Sequence, residues 1–117
     1  MRQENKINLS IVIPVFNEKN FLIKLFEEIK IFFNDSKNEI IFIDDGSTDG
    51  STNILKELKE KKNYKFLLKL IKLDINSGKG KAIQTGIKNS VGEYILLQDA
   101  DLELDIRDAR EMYDMIK

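Results

Sequence analysis

Apolar residues follow two rhythms along this chain. Leu9 to Val15 (Leu-Ser-Ile-Val-Ile-Pro-Val) and Glu39 to Asp45 (Glu-Ile-Ile-Phe-Ile-Asp-Asp) are nearly continuous and β-branched. Such runs suit strands covered on both faces. Pro14 cannot donate a ladder hydrogen bond and marks the end of the first strand. Phe66 to Leu73 reads as a third strand, with Lys69 and Lys72 pointing to partial exposure near a sheet edge. Tyr94 to Leu97 reads as a fourth. The second rhythm is helical. Phe21, Leu22, Leu25, Phe26, Ile29, Phe32 and Phe33 recur with Lys24, Glu27, Glu28 and Lys30 between them. That spacing predicts an amphipathic helix with a core-facing aromatic stripe, capped by Asn17 or Asn20. Ile54, Leu55 and Leu58 predict a second helix to about Lys62, after a turn at Gly46 to Gly50 with Ser47 and Asp49 as cap candidates. Ala82, Ile83, Gly86 and Ile87 predict a third, ending by Gly92, after a flexible turn at Ile75 to Lys81. Ile106 to Lys117 predicts a fourth, with Met112, Met115 and Ile116 as its apolar face.

Strand and helix alternate throughout, so the expected fold class is α/β: a mainly parallel sheet with right-handed crossovers and helices on both faces. Residues 1–8 form a tail, and 9–117 a single domain. Composition then narrows the chemistry. Lys plus Arg number 19 against 20 Asp plus Glu, a net charge of -1, so no basic field addresses nucleic acid. There is no Cys, which removes disulfides and thiolate chemistry, and no His, which removes the usual general base and any His-ligated zinc. No run reaches the roughly 18 apolar residues of a membrane span. No secretory apolar region follows Met1-Arg2-Gln3-Glu4-Asn5-Lys6, and the expected location is cytoplasmic.

The acids carry the most information. Gln98-Asp99-Ala100-Asp101-Leu102-Glu103 follows the fourth strand. In extended backbone Asp99, Asp101 and Glu103 would project one way, with Ala100 and Leu102 turned to the core. Two carboxylates about 4 Å apart repel by roughly 4 kcal/mol at a protein surface. A divalent cation turns that repulsion into binding, and hard oxygen donors suit magnesium, manganese or calcium. The alternative is a solvated acidic turn whose Asp caps the next helix. Ligands of parallel sheets sit at the carboxyl ends of the strands. Here strand one ends in Pro14-Val15-Phe16-Asn17-Glu18, strand two in Asp44-Asp45-Gly46-Ser47 and strand four in the acidic stretch, so all three converge on one edge.

Val12-Ile13-Pro14-Val15-Phe16-Asn17-Glu18, Ile43-Asp44-Asp45-Gly46-Ser47-Thr48-Asp49, Gly78-Lys79-Gly80-Lys81-Ala82 and Asp99-Ala100-Asp101 resemble the successive motifs of glycosyltransferase family 2, which has the GT-A type fold. The resemblance runs from about Leu9 to the C-terminus. Gln98 to Glu103 is most similar to the branch that transfers sugars to polyprenyl phosphates, the dolichyl-phosphate mannosyltransferase-like enzymes. It implies metal-dependent, inverting transfer of a hexose from a UDP- or GDP-linked sugar to a polyprenyl phosphate or glycan acceptor. It also implies work at the cytoplasmic face of a membrane. Pro14, Phe16 and Glu18 would border base and ribose; Asp45 would accept from a base nitrogen, with Ile43 and Asp44 beside it. Asp99, Ala100 and Asp101 form the DxD element, and Asp99, Asp101 and Glu103 would hold Mn2+ or Mg2+. Lys81, with Lys79, would help on the phosphates, the plainer reading being a mobile surface lysine. Family members continue well past the acidic stretch. The resemblance therefore implies that this is the donor-binding part, truncated on its C-terminal side. The acceptor contacts, the catalytic base and any peripheral membrane contact would lie in the missing part.

Each position also has a plainer reading. Asp44 and Asp45 could form an Asx turn, and Phe16 a hydrophobic staple to the first helix. Gly78 and Gly80 could only stop and start helices, and Glu18 could be a first-turn acid favoured by the helix dipole. Two other function classes stand beside this one. One is a nucleotide-binding or interaction module without turnover. The other is a phosphatase of the haloacid dehalogenase type, to which Asp44-Asp45-Gly46-Ser47-Thr48 is a loose match with its acids at the wrong spacing. A Rossmann glycine fingerprint, a Walker loop and an EF-hand each fail on spacing.

Overall fold

The computed structural model describes residues 6–101 and 105–117. Its elements follow in the order β1 (Leu9–Val15), α1 (Lys19–Phe32), β2 (Asn38–Asp45), α2 (Ser51–Lys61), β3 (Leu67–Leu73), α3 (Lys79–Lys88), β4 (Tyr94–Leu97) and α4 (Ile106–Ile116). The four strands form a parallel sheet in the order β3-β2-β1-β4. The two most apolar runs, β1 and β2, are the central strands; β3, with Lys69 and Lys72, is an outer one.

Alternation along the central strands divides the core. Leu9, Ile11, Ile13 and Val15 of β1, with Ile40 and Phe42 of β2, face α1, α2 and α4. Val12, Ile41 and Ile43 face α3 through Ala82. Helices thus cover both faces, which is why the central runs carry no polar alternation. The α3 contact is close: a Cβ on Gly86 would lie 2.4 Å from Val12 Cγ1 and 2.6 Å from Ile43 Cδ1. Only a residue without a side chain lets α3 approach the sheet at this point.

Pro14 acts differently from the expectation that it ends β1. It lies inside the strand, and pairing with β2 continues to Val15 opposite Asp44. Pairing with β4 stops at Val12 opposite Leu97, with one further bond from Gln98 N–H to the Val12 carbonyl. In a parallel ladder the next donor toward β4 is residue 14, two beyond residue 12 on the same side, and proline has no N–H to give. The β4 chain is therefore released at Gln98. The acidic stretch does not continue as a strand, and Ala100 and Asp101 lie in a turn. Ala100 is buried as expected. Leu102 and Glu103, expected to alternate with it, lie outside the described residues.

The start of α1 also differs. Neither Asn17 nor Asn20 caps it; the cap position is Glu18, and its side chain makes no capping bond. The donors are served from about thirty residues away. Asn17 N–H donates to Ser47 Oγ at 3.0 Å, Glu18 N–H to Ser51 Oγ at 3.0 Å, and Lys19 N–H to Asp49 Oδ2 at 3.2 Å. Asn17, with φ 54°, returns a bond by accepting from Thr48 N–H at 2.7 Å. Asp49 Oδ1 meanwhile accepts from the N–H and hydroxyl of Ser51, the first residue of α2. One carboxylate so serves the starts of two helices. Partial burial pushes the Asp49 carboxyl up, but the bonds from Ser51 and Lys19 outweigh it and hold its pKa below the ordinary 3.8. At α4, Asp105 accepts from Arg107 N–H at 2.8 Å, a direct N-cap.

Candidate functional site

The carboxyl ends of β1, β2 and β4 surround a cavity of about 280 Å³, lined by Pro14, Phe16, Glu18, Asp45, Asp99, Ala100 and Asp101 among others. Residues from three strand ends, far apart in sequence, thus share one space. Val15, Asn76, Gly78 and Lys79 complete the lining.

Each wall has a local cause. On the β1 side, Phe16 is 43% exposed and faces the cavity, so it is not tucked away as a staple. On the β2 side the adjacent acids part, as neighbours in a strand must. Asp44 turns toward α2: Oδ1 accepts from Ser47 N–H at 2.9 Å, and Oδ2 accepts from the Thr52 hydroxyl. That is the turn-forming reading of Asp44. Asp45, also buried, turns to the loop after β3, accepting from Ser77 N–H at 2.7 Å and Gly78 N–H at 2.9 Å. A carboxylate offers about four lone-pair directions, so two bonds leave capacity for a further donor. Gly78, with φ 97°, then occupies the N-cap position of α3. Across this loop Gly46 makes a close approach, since a Cβ there would stand 2.7 Å from Asn76 N. The turn expected to be flexible is therefore tied to β2 by two charge-assisted bonds.

On the β4 side, Asp99 and Asp101 line the cavity, and Lys79 Nζ lies 2.6 Å from Asp99 Oδ1. Among the described residues no group of three or more potential metal-binding acids occurs, and Glu103 lies outside them.

Two expected site residues fall elsewhere. Ile43 is fully buried against α3 and is core: it shares its face with Asp45 but lies two residues deeper in the strand, beneath the helix. Lys81 does not line the cavity, whereas Lys79, two residues earlier on α3, does. Asn76 was not singled out from the sequence; an Asn two residues before Gly78 in a turn following a strand was the available clue. Its Oδ1 accepts from Gly78 N–H at 3.2 Å. No described helix is long and apolar enough to cross a membrane.

Comparison with known proteins agrees with this architecture. The model of "Glycosyl transferase family 2" matches residues 10–117. The chain is similar to two dolichyl-phosphate beta-glucosyltransferases. One, from Dictyostelium discoideum, is 33% identical over 119 residues, 96% of this chain and 36% of the relative. The other, from Saccharomyces cerevisiae, is 36% identical over 121 residues, 98% of this chain and 36% of the relative. The chain thus spans about a third of the length of these relatives. Among solved structures it is similar to S. aureus TarS 1-349 in complex with UDP, with a TM-score of 0.74 and 25% identity over 93% of this chain and 32% of that one. The same protein has been solved with UDP-GlcNAc. A family match over residues 10–117, and relatives above 30% identity along nearly the whole chain, place this protein in glycosyl transferase family 2.

Proposed function

We propose that this chain binds the donor for metal-dependent, inverting transfer of a hexose from a nucleoside diphosphate sugar to a polyprenyl phosphate. The observation that carries this reading is the meeting of Asp45, Asp99 and Asp101 at one cavity. Both named relatives act on dolichyl phosphate, and TarS has been solved with UDP and UDP-GlcNAc. Those names supply the acceptor and donor classes.

The residues fit these roles physically. Pro14 and Phe16 give the base an apolar wall, and the spare lone pairs of Asp45 suit a base N–H. Glu18, Asp45, Asp99 and Asp101 make the cavity acidic, with Lys79 the one basic residue lining it among those described. A diphosphate entering alone would meet repulsion. Asp99 and Asp101 suit Mg2+ or Mn2+, since such ions are held by one or two carboxylates plus substrate phosphates, without an all-protein cage. The ion would neutralise the departing diphosphate. A phosphate acceptor is already ionised and asks little of a general base, in keeping with a chain that has no His.

The test is thermal unfolding with UDP or GDP and Mn2+. At about 100 times the dissociation constant, nucleotide should stabilise the chain by roughly 2.7 kcal/mol. Chelator, or Asp101→Asn, should remove that shift. Stabilisation that survives both would sink the metal bridge. Hexose transfer to a polyprenyl phosphate by this chain would establish turnover; binding without transfer would favour the module reading.

A further inference from the structure

Lys79 and Asp99 form an ion pair inside the proposed donor site. Lys79 opens α3, after the loop that follows β3, and Asp99 follows β4. Strands β3 and β4 are the two outer strands, so the pair links the segments that follow opposite edges of the sheet. The ammonium sits on one of the two carboxylates that the proposed function assigns to the cation.

We propose that Lys79 is an exchangeable stand-in for the divalent cation, holding Asp99 until a diphosphate draws the ammonium away. This rests on the metal–diphosphate reading of the cavity. With no ligand, Asp99 and Asp101 face one cavity and repel each other; the Lys79 charge offsets that at Asp99. The arrangement is easily exchanged, because the Lys79 side chain is 62% exposed and its flexible stem carries a well-hydrated point charge. A diphosphate offers that ammonium more negative charge than one carboxylate does. Once Lys79 moves to phosphate, Asp99 is released for the cation. Diphosphate and cation therefore bind with positive coupling, and by linkage each strengthens the other equally. A cation arriving alone has to compete with Lys79, which disfavours a metal-loaded site without nucleotide.

The experiment measures Mn2+ binding by electron paramagnetic resonance, with and without saturating UDP. Without UDP, Lys79→Gln should bind Mn2+ about two- to fivefold more tightly than the unsubstituted chain, the range set by an exposed ion pair. Lys79→Arg should retain the original affinity. Lys81→Gln, which removes a charge from the same helix but off the cavity, should leave it unchanged. With UDP bound, the gain in Lys79→Gln should disappear. No gain, an equal gain in Lys81→Gln, or a gain undiminished by UDP would each overturn the exchange. Mn2+ and UDP that bind together but are indifferent to Lys79 overturn this inference alone. A chain that binds no Mn2+ even with UDP overturns the metal reading as well.

Discussion

Two lysine–carboxylate pairs sit at opposite ends of this sheet, each closed at 2.6 Å, and they do different work. Near the amino ends of the strands, Glu39 is fully buried. Its Oε1 accepts from the Ser10 hydroxyl at 2.6 Å and from Val91 N–H at 3.0 Å, and its Oε2 faces Lys69 Nζ. Lys69 also donates to the Asn89 carbonyl at the end of α3, so the pair joins β1, β2, β3 and the α3–β4 connection. At the carboxyl ends, Asp99 and Lys79 are both partly exposed and face a cavity. Distance alone does not separate them. Burial does, because a charge cut off from water depends wholly on the partners it has, while an exposed one can trade them for solvent or ligand.

The largest effect should come from the buried end. Lys69→Met leaves the Glu39 charge without its counter-ion and should cost about 3 kcal/mol in urea unfolding, with nucleotide affinity of the folded fraction unchanged. A loss under about 1 kcal/mol would erase the distinction between the two ends. Next, Asp45→Asn replaces two acceptor oxygens with one and leaves a loop N–H facing an amide donor. It should cost about 2 kcal/mol and weaken UDP binding by a larger factor than stability alone explains. Equal loss in both would make Asp45 purely structural.

Asp49 tests whether the rim is uniformly open. Asp49→Ala should cost about 1 kcal/mol or somewhat more, since it uncaps two helices. The folded carboxyl releases its proton more readily than the unfolded one. Its contribution is therefore complete above the ordinary value of 3.8 and fades as pH falls through the lower folded value. The gap between Asp49→Ala and the unsubstituted chain should close in acid and stay constant above about pH 5. A gap that widened in acid would reverse the sign. Smallest of all, Lys79→Gln should move unfolding stability by less than about 1 kcal/mol, its effect appearing in cation affinity instead.

Much of the site was legible because it depends on local chemistry. Acids at the ends of strands two and four, and Pro14-Val15-Phe16 at the end of strand one, mark a rim in any parallel sheet. Lys69 and Lys72 marked β3 as an outer strand for the same kind of reason, since long charged side chains reach water most readily from a sheet edge. What stayed hidden was pairing at long range. The caps of α1 come from Ser47, Asp49 and Ser51, about thirty residues on, so a search for a nearby Asn could not find them. Ile43 lies on the same face as Asp45, yet two residues deeper, so the packing of α3 over the sheet made it core.

The succession of strands and helices, the parallel sheet and the edge where its acids gather follow from residue order alone, because periodicity and strand-end chemistry are properties of short stretches. Tertiary structure decided that Pro14 releases β4 before the acidic turn, that Asp45 anchors the next loop, and that Lys79 rather than Lys81 reaches Asp99. Each of those depends on which distant backbone lies alongside, and only the folded chain sets that.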